Sequence, residues 1–195
     1  MEVFVATANA HKVEEITAIL APMGLTVRSL LDHPELPEAP ETHDTFEGNA
    51  LQKAQFAFDR LGIPALADDS GLEVDALGGA PGVHSKRYSA EATAASNNQK
   101  LLQALHGQSH RTARFRCVVA LVTGSWSGTV SGACEGQILG ELKGDGGFGY
   151  DPLFAPDDLP GRSMAEATPA EKNAISHRGR GFRQVPDLLR RAGLT

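Results

Sequence analysis

The stretch IPALADDSGLEVDALGGAPG (Ile63 to Gly82) decides how this chain is built. Its apolar run, Ile63 to Ala67, has the length and composition of a buried β-strand. The run ends on two adjacent carboxylates, Asp68 and Asp69, and the Ser-Gly pair that follows is typical of a turn. The sequence therefore predicts a central strand whose carboxyl end carries two acidic side chains, followed by a polar turn.

Strand and helix patterns alternate on both sides of that stretch. Upstream, the predictions are a strand at residues 2–6, a helix at 12–24, a strand at 25–30, a Pro-rich acidic loop at 32–44 and a helix at 46–61 that Gly62 ends. Downstream, they are a helix at 92–107, an antiparallel hairpin of strands at 113–123 and 128–138, a short helix at 169–176 and a last helix that Pro186 kinks or shortens. This order indicates an α/β fold with a mixed sheet.

Composition and charge restrict the class of protein. The chain has 195 residues, of which 41% are hydrophobic and 22% are charged, so it can bury a core and suits one domain or two closely packed lobes. No apolar run approaches the length of a membrane span. The net charge of −6, with no Lys/Arg run, argues against binding of duplex nucleic acid. Cys117 and Cys134 lie in predicted strands and are expected to be reduced core residues of a cytoplasmic protein.

A possible anion site lies between the first predicted strand and the helix after it. The segment TANAHK (Thr7 to Lys12) combines small residues, which expose backbone N–H groups at a helix N-terminus, with the positive charge of Lys12. The alternative is an ordinary tight turn in which Asn9 caps the helix.

The Gly-rich segment GDGGFG (residues 144–149) contains the spacing G-x-G-x-x-G, but Tyr150, Asp151 and Pro152 follow it instead of a helix. That context excludes a dinucleotide-binding fingerprint, and no Walker A motif occurs in the chain. The segment is predicted to be a loop that presents Phe148 and Tyr150, either as a plain surface loop or as a platform on which a base stacks.

Charged and polar residues also gather in EKNAISHRG (residues 171–179), which contains Lys172, His177 and Arg178. This segment is either a solvated helix end or a set of hydrogen-bond donors for a carbonyl or a phosphate.

Asp68 and Asp69 have a second interpretation besides the polar turn. The carboxyl end of a central strand is where open α/β sheets bind ligands. Adjacent like charges repel unless a cation lies beside them, and Mg²⁺ prefers carboxylate oxygens together with phosphate oxygens. The pair is therefore interpreted as a metal site that acts on a phosphate substrate, and its two carboxylates are expected to titrate as a unit.

The order and combination of these segments resemble the inosine/xanthosine triphosphate pyrophosphatases, from about Val3 to Gly179. The segments that carry the resemblance are TANAHKVEEI, TFEGNALQKA, ADDSGLEVDALGGAPGVHSKRYS, FRCVVALV, GGFGYDPLF and AEATPAEKNAISHRG. The resemblance implies one domain over residues 1–195 with a two-lobed α/β fold, a long mixed β-sheet flanked by helices, an active-site cleft between the lobes, and a homodimer. It also implies Mg²⁺-dependent hydrolysis of deaminated purine nucleoside triphosphates (ITP, dITP, XTP) to the monophosphate and pyrophosphate, which cleanses the nucleotide pool.

The resemblance further implies roles for individual residues. Asp69 matches the proton acceptor and a metal ligand, and Asp68 and Glu47 are expected as further metal ligands. The implied substrate contacts are Thr7, Ala8, Asn9, Ala10, His11, Lys12, Lys53, Ser70, Phe148, Gly149, Tyr150, Asp151, Lys172, His177 and Arg178. The family often has a glutamate where this chain has Gly48, so Glu47 reaches a metal only if the first helical turn is rewound.

Two other functions remain open at the level of sequence. One is a pyrophosphatase of related fold that acts on modified pyrimidine nucleotides, and the other is a nucleotide-binding module without catalytic activity.

Overall fold

A computed structural model describes all residues from Met1 to Thr195, and the chain has an α/β fold with one mixed sheet. The six strands are β1 (Glu2–Val5), β2 (Thr26–Ser29), β3 (Ala65–Val74), β4 (Thr112–Val122), β5 (Ser127–Ile138) and β6 (Phe154–Pro156), in the sheet order β2-β1-β3-β4-β5-β6. β1 pairs in parallel with both β2 and β3, and β5 pairs antiparallel with β6. Only Thr123 to Trp126 join β4 to β5, which is too short for a parallel crossover and agrees with the predicted hairpin.

The helices are α1 (Ala10–Leu20), α2 (Phe46–Leu61), α3 (Ala94–Ala104), α4 (Pro169–Ile175), α5 (His177–Phe182) and α6 (Val185–Arg191). The bounds of α2 agree with the prediction because both of its ends are capped. The Thr45 side chain accepts the Gly48 N–H, and Gly62 ends the helix with a φ of 65°, a conformation that glycine adopts without strain. None of the helices has the length and apolar character needed to cross a bilayer.

β3 continues through Asp68, Asp69, Ser70 and Gly71, so the predicted polar turn is wrong. The reason is that burial continues beyond the Ser-Gly pair, since Leu72 and Val74 are both fully buried. The two aspartates therefore lie in the middle of a ten-residue strand and not at its carboxyl end. They do lie beyond the end of β1, whose last residue, Val5, pairs with Leu66.

The chain divides into two compact units. The first unit comprises residues 1–69, 117–132 and 177–195, and the second comprises residues 70–116 and 133–176. The core of the first unit includes Ile16, Leu66 and Cys117, and the core of the second includes Leu72 and Cys134. Both cysteines are buried and neither forms a disulfide, as the sequence predicts.

The single last helix of the prediction is two short helices, α5 and α6. Pro186 lies in the first turn of α6, where the missing N–H of proline leaves no bond unmade. It therefore divides the helical segment instead of kinking one helix. The predicted apolar face is confirmed, because Phe182, Val185, Leu188 and Leu189 all lie in the core of the first unit.

Candidate active site

The loop between β1 and α1 carries the residues predicted to bind phosphate. Its Asn9 side chain accepts the N–H of Lys12 at 3.2 Å, so Asn9 is the N-cap of α1. Thr7 Oγ1 in turn accepts the N–H of Asn9 at 3.2 Å. Ala10 and His11 form the exposed start of the helix, and Ala8 lies in the loop before it. The two interpretations of this segment, a capping turn and an anion site, are compatible. With Asn9 as the cap, the positive N-terminal end of α1 and the Lys12 side chain both lie at this loop.

Asp68 lies among cations in the first unit. Its Oδ2 is 2.9 Å from Nζ of Lys12 and 3.6 Å from Nη2 of Arg178, and its side chain is fully buried. Nη1 of Arg178 donates to Glu15 at 2.6 Å, so four charges alternate in sign within one buried group. Burial alone would raise the pKa of Asp68, but the charges of Lys12 and Arg178 outweigh it and hold that pKa well below its usual range.

Asp69 has a different set of partners. Its Oδ1 is 3.2 Å from Nζ of Lys53, and its Oδ2 accepts a hydrogen bond from Nδ2 of Asn49 at 3.1 Å. Burial raises the pKa of Asp69, and the charge of Lys53 and the bond from Asn49 only partly offset that effect. A buried carboxylate with a raised pKa and a fixed orientation is suited to accept a proton.

The two aspartates are therefore neighbours in sequence but not an acidic pair. Successive residues of a strand point to opposite faces of the sheet, so Asp68 faces Lys12 and Arg178 whereas Asp69 faces Lys53. The prediction that they titrate as a unit is not supported, because the main causes of the pKa shift of each aspartate are burial and its own cationic partners and do not include the other aspartate. Asp68 and Asp69 are thus each paired with different cationic side chains.

Glu41, which sequence reasoning missed, also belongs to the Asp69 group. Its Oε1 is 2.9 Å from the same Lys53 ammonium that contacts Asp69. Side chains of α2 hold the adjoining loop: Asn49 accepts the N–H of His43 at 3.0 Å, and Gln52 exchanges two hydrogen bonds with Thr42. The Asn49 side chain thus connects this loop to Asp69, because its oxygen accepts from His43 and its nitrogen donates to Asp69.

Glu47, the sequence-predicted metal ligand, is not brought into this group. Its carboxylate accepts a hydrogen bond from Thr129 Oγ1 at 3.2 Å, and the contact is exposed. α2 starts as helix at Phe46 with Thr45 as its N-cap, so the rewinding that would turn Glu47 towards Asp69 does not occur. Glu41 is the glutamate whose carboxylate lies beside Asp69 and Lys53.

The second unit holds the predicted nucleoside loop, Phe148 to Asp151. Asp151 Oδ2 accepts the N–H of Phe148 at 2.8 Å and lies 2.6 Å from Nζ of Lys172. That ammonium is 4.5 Å from the centre of the Phe148 ring, so Phe148, Asp151 and Lys172 form one group. The prediction that the loop presents Tyr150 is wrong. Tyr150 is buried in the core, and its hydroxyl donates to the Ser85 carbonyl at 2.8 Å. Ser70 is half-buried on β3.

His177 and Arg178 begin α5 in the first unit and are buried there. The helix packs closely on β5 at Gly132, where a Cβ would lie 2.3 Å from the His177 carbonyl oxygen, so only glycine fits. Neither side chain is part of a solvated helix end, and Arg178 is committed to the ion pairs with Asp68 and Glu15.

Replacing Asp68 with asparagine is expected to lower the free energy of unfolding by about 3 kcal/mol, because it leaves Lys12 and Arg178 without their shared buried counter-charge. The folded-state pKa of Asp68 is lowered, so its stabilisation is complete above the unfolded-state pKa of about 3.9 and is lost as the pH falls through the folded-state value. Urea denaturation at neutral and acidic pH measures both effects, and the two proteins should converge only in acid.

Glu135→Gln is the matched control for that prediction. Glu135 pairs with Arg114 at 2.9 Å on the surface, and exposed pairs contribute about 1 kcal/mol or less. Equal decreases in the free energy of unfolding of Asp68→Asn and Glu135→Gln would contradict the prediction that the buried ion pairs of Asp68 stabilise the fold more than a surface pair does.

Comparison with known proteins gives matches over nearly the whole chain. A family model described as the Ham1 family matches residues 3–188. A dITP/XTP pyrophosphatase from Desulforamulus reducens is 48% identical over 195 residues, covering 98% of this chain and 96% of that protein. A protein of the same name from Geobacter sulfurreducens is 51% identical over 189 residues, covering 95% and 94%. The solved structure of a HAM1 protein from Coxiella burnetii has a TM-score of 0.85 at 40% identity, covering 98% of this chain and 99% of that one.

Proposed function

The chain belongs to the Ham1 family, and from that membership and the site we propose that it hydrolyses deaminated purine nucleoside triphosphates, such as dITP, ITP and XTP, to the monophosphate and pyrophosphate. It is an enzyme of the class that hydrolyses acid anhydrides. The observation that carries the proposal is Asp69, a buried carboxylate of raised pKa beside Lys53.

Asp69 acts as the proton acceptor in this proposal. A water molecule hydrogen-bonded to its carboxylate attacks the α-phosphorus, the bond to the bridging oxygen of the β-phosphate breaks, and pyrophosphate leaves. The proton of the water passes to Asp69 while the new P–O bond forms. Asn49 and Lys53 keep the two carboxylate oxygens in fixed directions, which holds the acceptor in place before the substrate binds.

The phosphates are bound by positive groups of the first unit. The N-terminus of α1 and the loop before it supply N–H donors such as those of Ala8 and Ala10, since the N–H groups of Thr7 and Asn9 already donate to Val5 and Thr7. Lys12 and Lys53 supply charge. Burial lowers the pKa of Lys12 and the Asp68 charge only partly offsets that effect, whereas the hydrogen bond to Asp68 at 2.9 Å holds the Lys12 side chain in position. These two lysines stabilise the negative charge that builds up on the leaving pyrophosphate.

The acidic residues fit a magnesium ion bound together with substrate. Asp69 and Glu41 both lie within 3.2 Å of the Lys53 ammonium, so two carboxylates converge on one place. No group of three or more acidic, histidine or cysteine side chains forms a closed cage. One or two carboxylates plus substrate phosphates is the usual protein environment of Mg²⁺, which would supply charge neutralisation of the phosphates there. Asp68, already balanced by Lys12 and Arg178, is less suited to this role than Glu41.

Magnesium dependence gives a test that separates the two candidate glutamates. Glu41→Gln is expected to raise the Mg²⁺ concentration for half-maximal rate about tenfold, because it removes a carboxylate beside Asp69. Glu47→Gln is the matched control and should leave that concentration unchanged, since its carboxylate contacts Thr129. The reverse pattern in a Mg²⁺ titration of the two variants would show that Glu47 is the ligand.

In this proposal the loop from Phe148 to Asp151, with Ser70 and Lys172, binds the nucleoside. His177 and Arg178 of the first unit are proposed as substrate contacts because the family resemblance implies them. The Phe148 ring, half-buried above Lys172, offers the stacking surface. Arg178 and Lys172 are both held in ion pairs, so any donors they present have fixed directions.

We also propose that the enzyme is a homodimer that acts in the cytoplasm and cleanses the nucleotide pool, as the family resemblance implies. Light scattering coupled to size exclusion should give twice the chain mass of 20.6 kDa. A mass of one chain would contradict the dimer.

A turnover assay tests the function against its alternatives. The enzyme is supplied with Mg²⁺ and, separately, with ITP, XTP, dITP, ATP, GTP and dUTP, and pyrophosphate release is measured. Many turnovers of the deaminated purines are expected. Preference for dUTP would favour the pyrimidine alternative, and stoichiometric binding without turnover would favour the binding module.

A further inference from the structure

Asn98 of α3 is buried and makes a single hydrogen bond. Its Nδ2 donates to the carbonyl oxygen of Gly149 at 2.9 Å, whereas its Oδ1 has no hydrogen-bond partner. A buried acceptor without a partner destabilises the fold, and a leucine of similar size would avoid that cost. The bond to Gly149 is therefore the property that asparagine, and no apolar residue, supplies at this position.

Gly149 lies at the centre of the loop assigned to the nucleoside. Its φ is +62°, and a Cβ added there would meet no atom within 4 Å, so one direction from this residue is open. The residues on both sides are fixed, Phe148 by its N–H bond to Asp151 and Tyr150 by its hydroxyl bond to Ser85. The Asp151 N–H also closes the loop on the Phe148 carbonyl at 3.2 Å, and Asn98 holds a part of the loop that none of these three bonds contacts.

That part is the orientation of the peptide between Gly149 and Tyr150. The peptide is trans and planar, so its C=O and its N–H point in opposite directions. With the Gly149 oxygen held by Asn98, the Tyr150 N–H must point away from α3.

We propose that Asn98 is a positioning residue for base recognition: by holding the Gly149 oxygen, it presents the Tyr150 N–H as a donor to the 6-keto oxygen of the purine. The inference rests on the function proposed above and deepens it. If the same peptide turned over, it would present the Gly149 oxygen, an acceptor that suits the 6-amino group of adenine. One side-chain bond thereby distinguishes a keto purine from an amino purine.

Two substitutions test this role. Asn98→Asp replaces the donor with a carboxylate that repels the Gly149 oxygen, and Asn98→Ser leaves a side chain too short to reach it. For each, kcat and KM are measured with ITP and with ATP. The ratio of kcat/KM for ITP to that for ATP is expected to fall at least about tenfold, mainly through a higher KM for ITP. An unchanged ratio, or equal losses for ITP and ATP, would overturn the proposal.

Lys100→Met provides the matched control on the same helix. Lys100 Nζ also donates to a backbone carbonyl, that of Tyr88 at 2.6 Å, but not to the nucleoside loop. The ratio of kcat/KM for ITP to that for ATP in Lys100→Met should equal that of the unmodified enzyme. If it falls as far as in the Asn98 variants, the effect belongs to the stability of α3 and the proposal is wrong.

A measurement on the unmodified enzyme covers the case in which the variants do not fold. Hydrogen exchange of the Tyr150 amide is followed with saturating IMP and with saturating AMP. IMP is expected to slow the exchange and AMP is not, since only the keto base accepts from this N–H. Equal exchange with the two ligands would overturn the proposal.

Turnover by the unmodified enzyme distinguishes failure of the proposed function from failure of the role given to Asn98. Absence of ITP turnover contradicts the proposed function itself. Turnover with a keto preference that survives in the Asn98 variants contradicts only the role given to Asn98.

Discussion

Replacing Asp69 with asparagine is expected to lower kcat by roughly two to four orders of magnitude, the range for loss of a positioned proton acceptor. The amide has the same shape as the carboxylate but cannot accept the proton of the attacking water. Lys53 keeps its other partner, Glu41, so the variant should remain folded. Steady-state turnover of ITP with saturating Mg²⁺ measures the loss, and the melting temperature checks the fold.

Asp59→Asn is the matched control for this variant. Asp59 lies on α2 with its carboxylate exposed and hydrogen-bonded to Gln55 at 2.7 Å, so the same chemical change there should leave kcat unaltered. A loss below tenfold in Asp69→Asn would contradict the assignment of the proton acceptor.

The second large effect concerns the base. ITP is expected to exceed ATP in kcat/KM by up to about four orders of magnitude. A donor fixed in a desolvated site pairs with the 6-keto oxygen of hypoxanthine but is left facing a 6-amino group when adenine binds, and an unpaired buried polar group can cost several kcal/mol. The loop at Gly149, whose carbonyl oxygen accepts a hydrogen bond from Asn98, is the element proposed to supply such a donor.

Competition between ITP and ATP in one reaction measures this discrimination directly, because the ratio of the two rates gives the ratio of kcat/KM. XTP, which also has a 6-keto oxygen, is the positive control. Equal values for ITP and ATP would show that the site does not identify the base through the group at position 6.

Local sequence signals predicted the elements whose ends are determined locally. α2 was predicted with its observed bounds because Thr45 and Gly62 cap it, and Asn9 was recognised as the cap of α1 for the same reason. The turn residues Ser70 and Gly71 gave a false signal, since the burial of β3 through Leu72 and Val74 depends on the rest of the sheet.

The partners of the charged residues could not be predicted from the sequence. Arg178 and Glu15 are 163 positions apart, and Lys12 and Asp68 are 56 apart, so no local pattern connects them. Glu41 lies in a loop without periodicity, and its contact with Lys53 depends on side chains of α2 that hold the adjoining residues. The family resemblance predicted Asp69 as the proton acceptor and Glu47 as a further metal ligand, whereas Glu41 is the glutamate that shares the Lys53 ammonium with Asp69.

In the proposed reaction, water cleaves the bond between the α- and β-phosphates. Phosphorus NMR of the products formed from ITP and Mg²⁺ tests it most directly, because the two possible cleavages give different resonances. IMP and pyrophosphate are expected in equal amounts, with no orthophosphate. Formation of IDP and orthophosphate would contradict it.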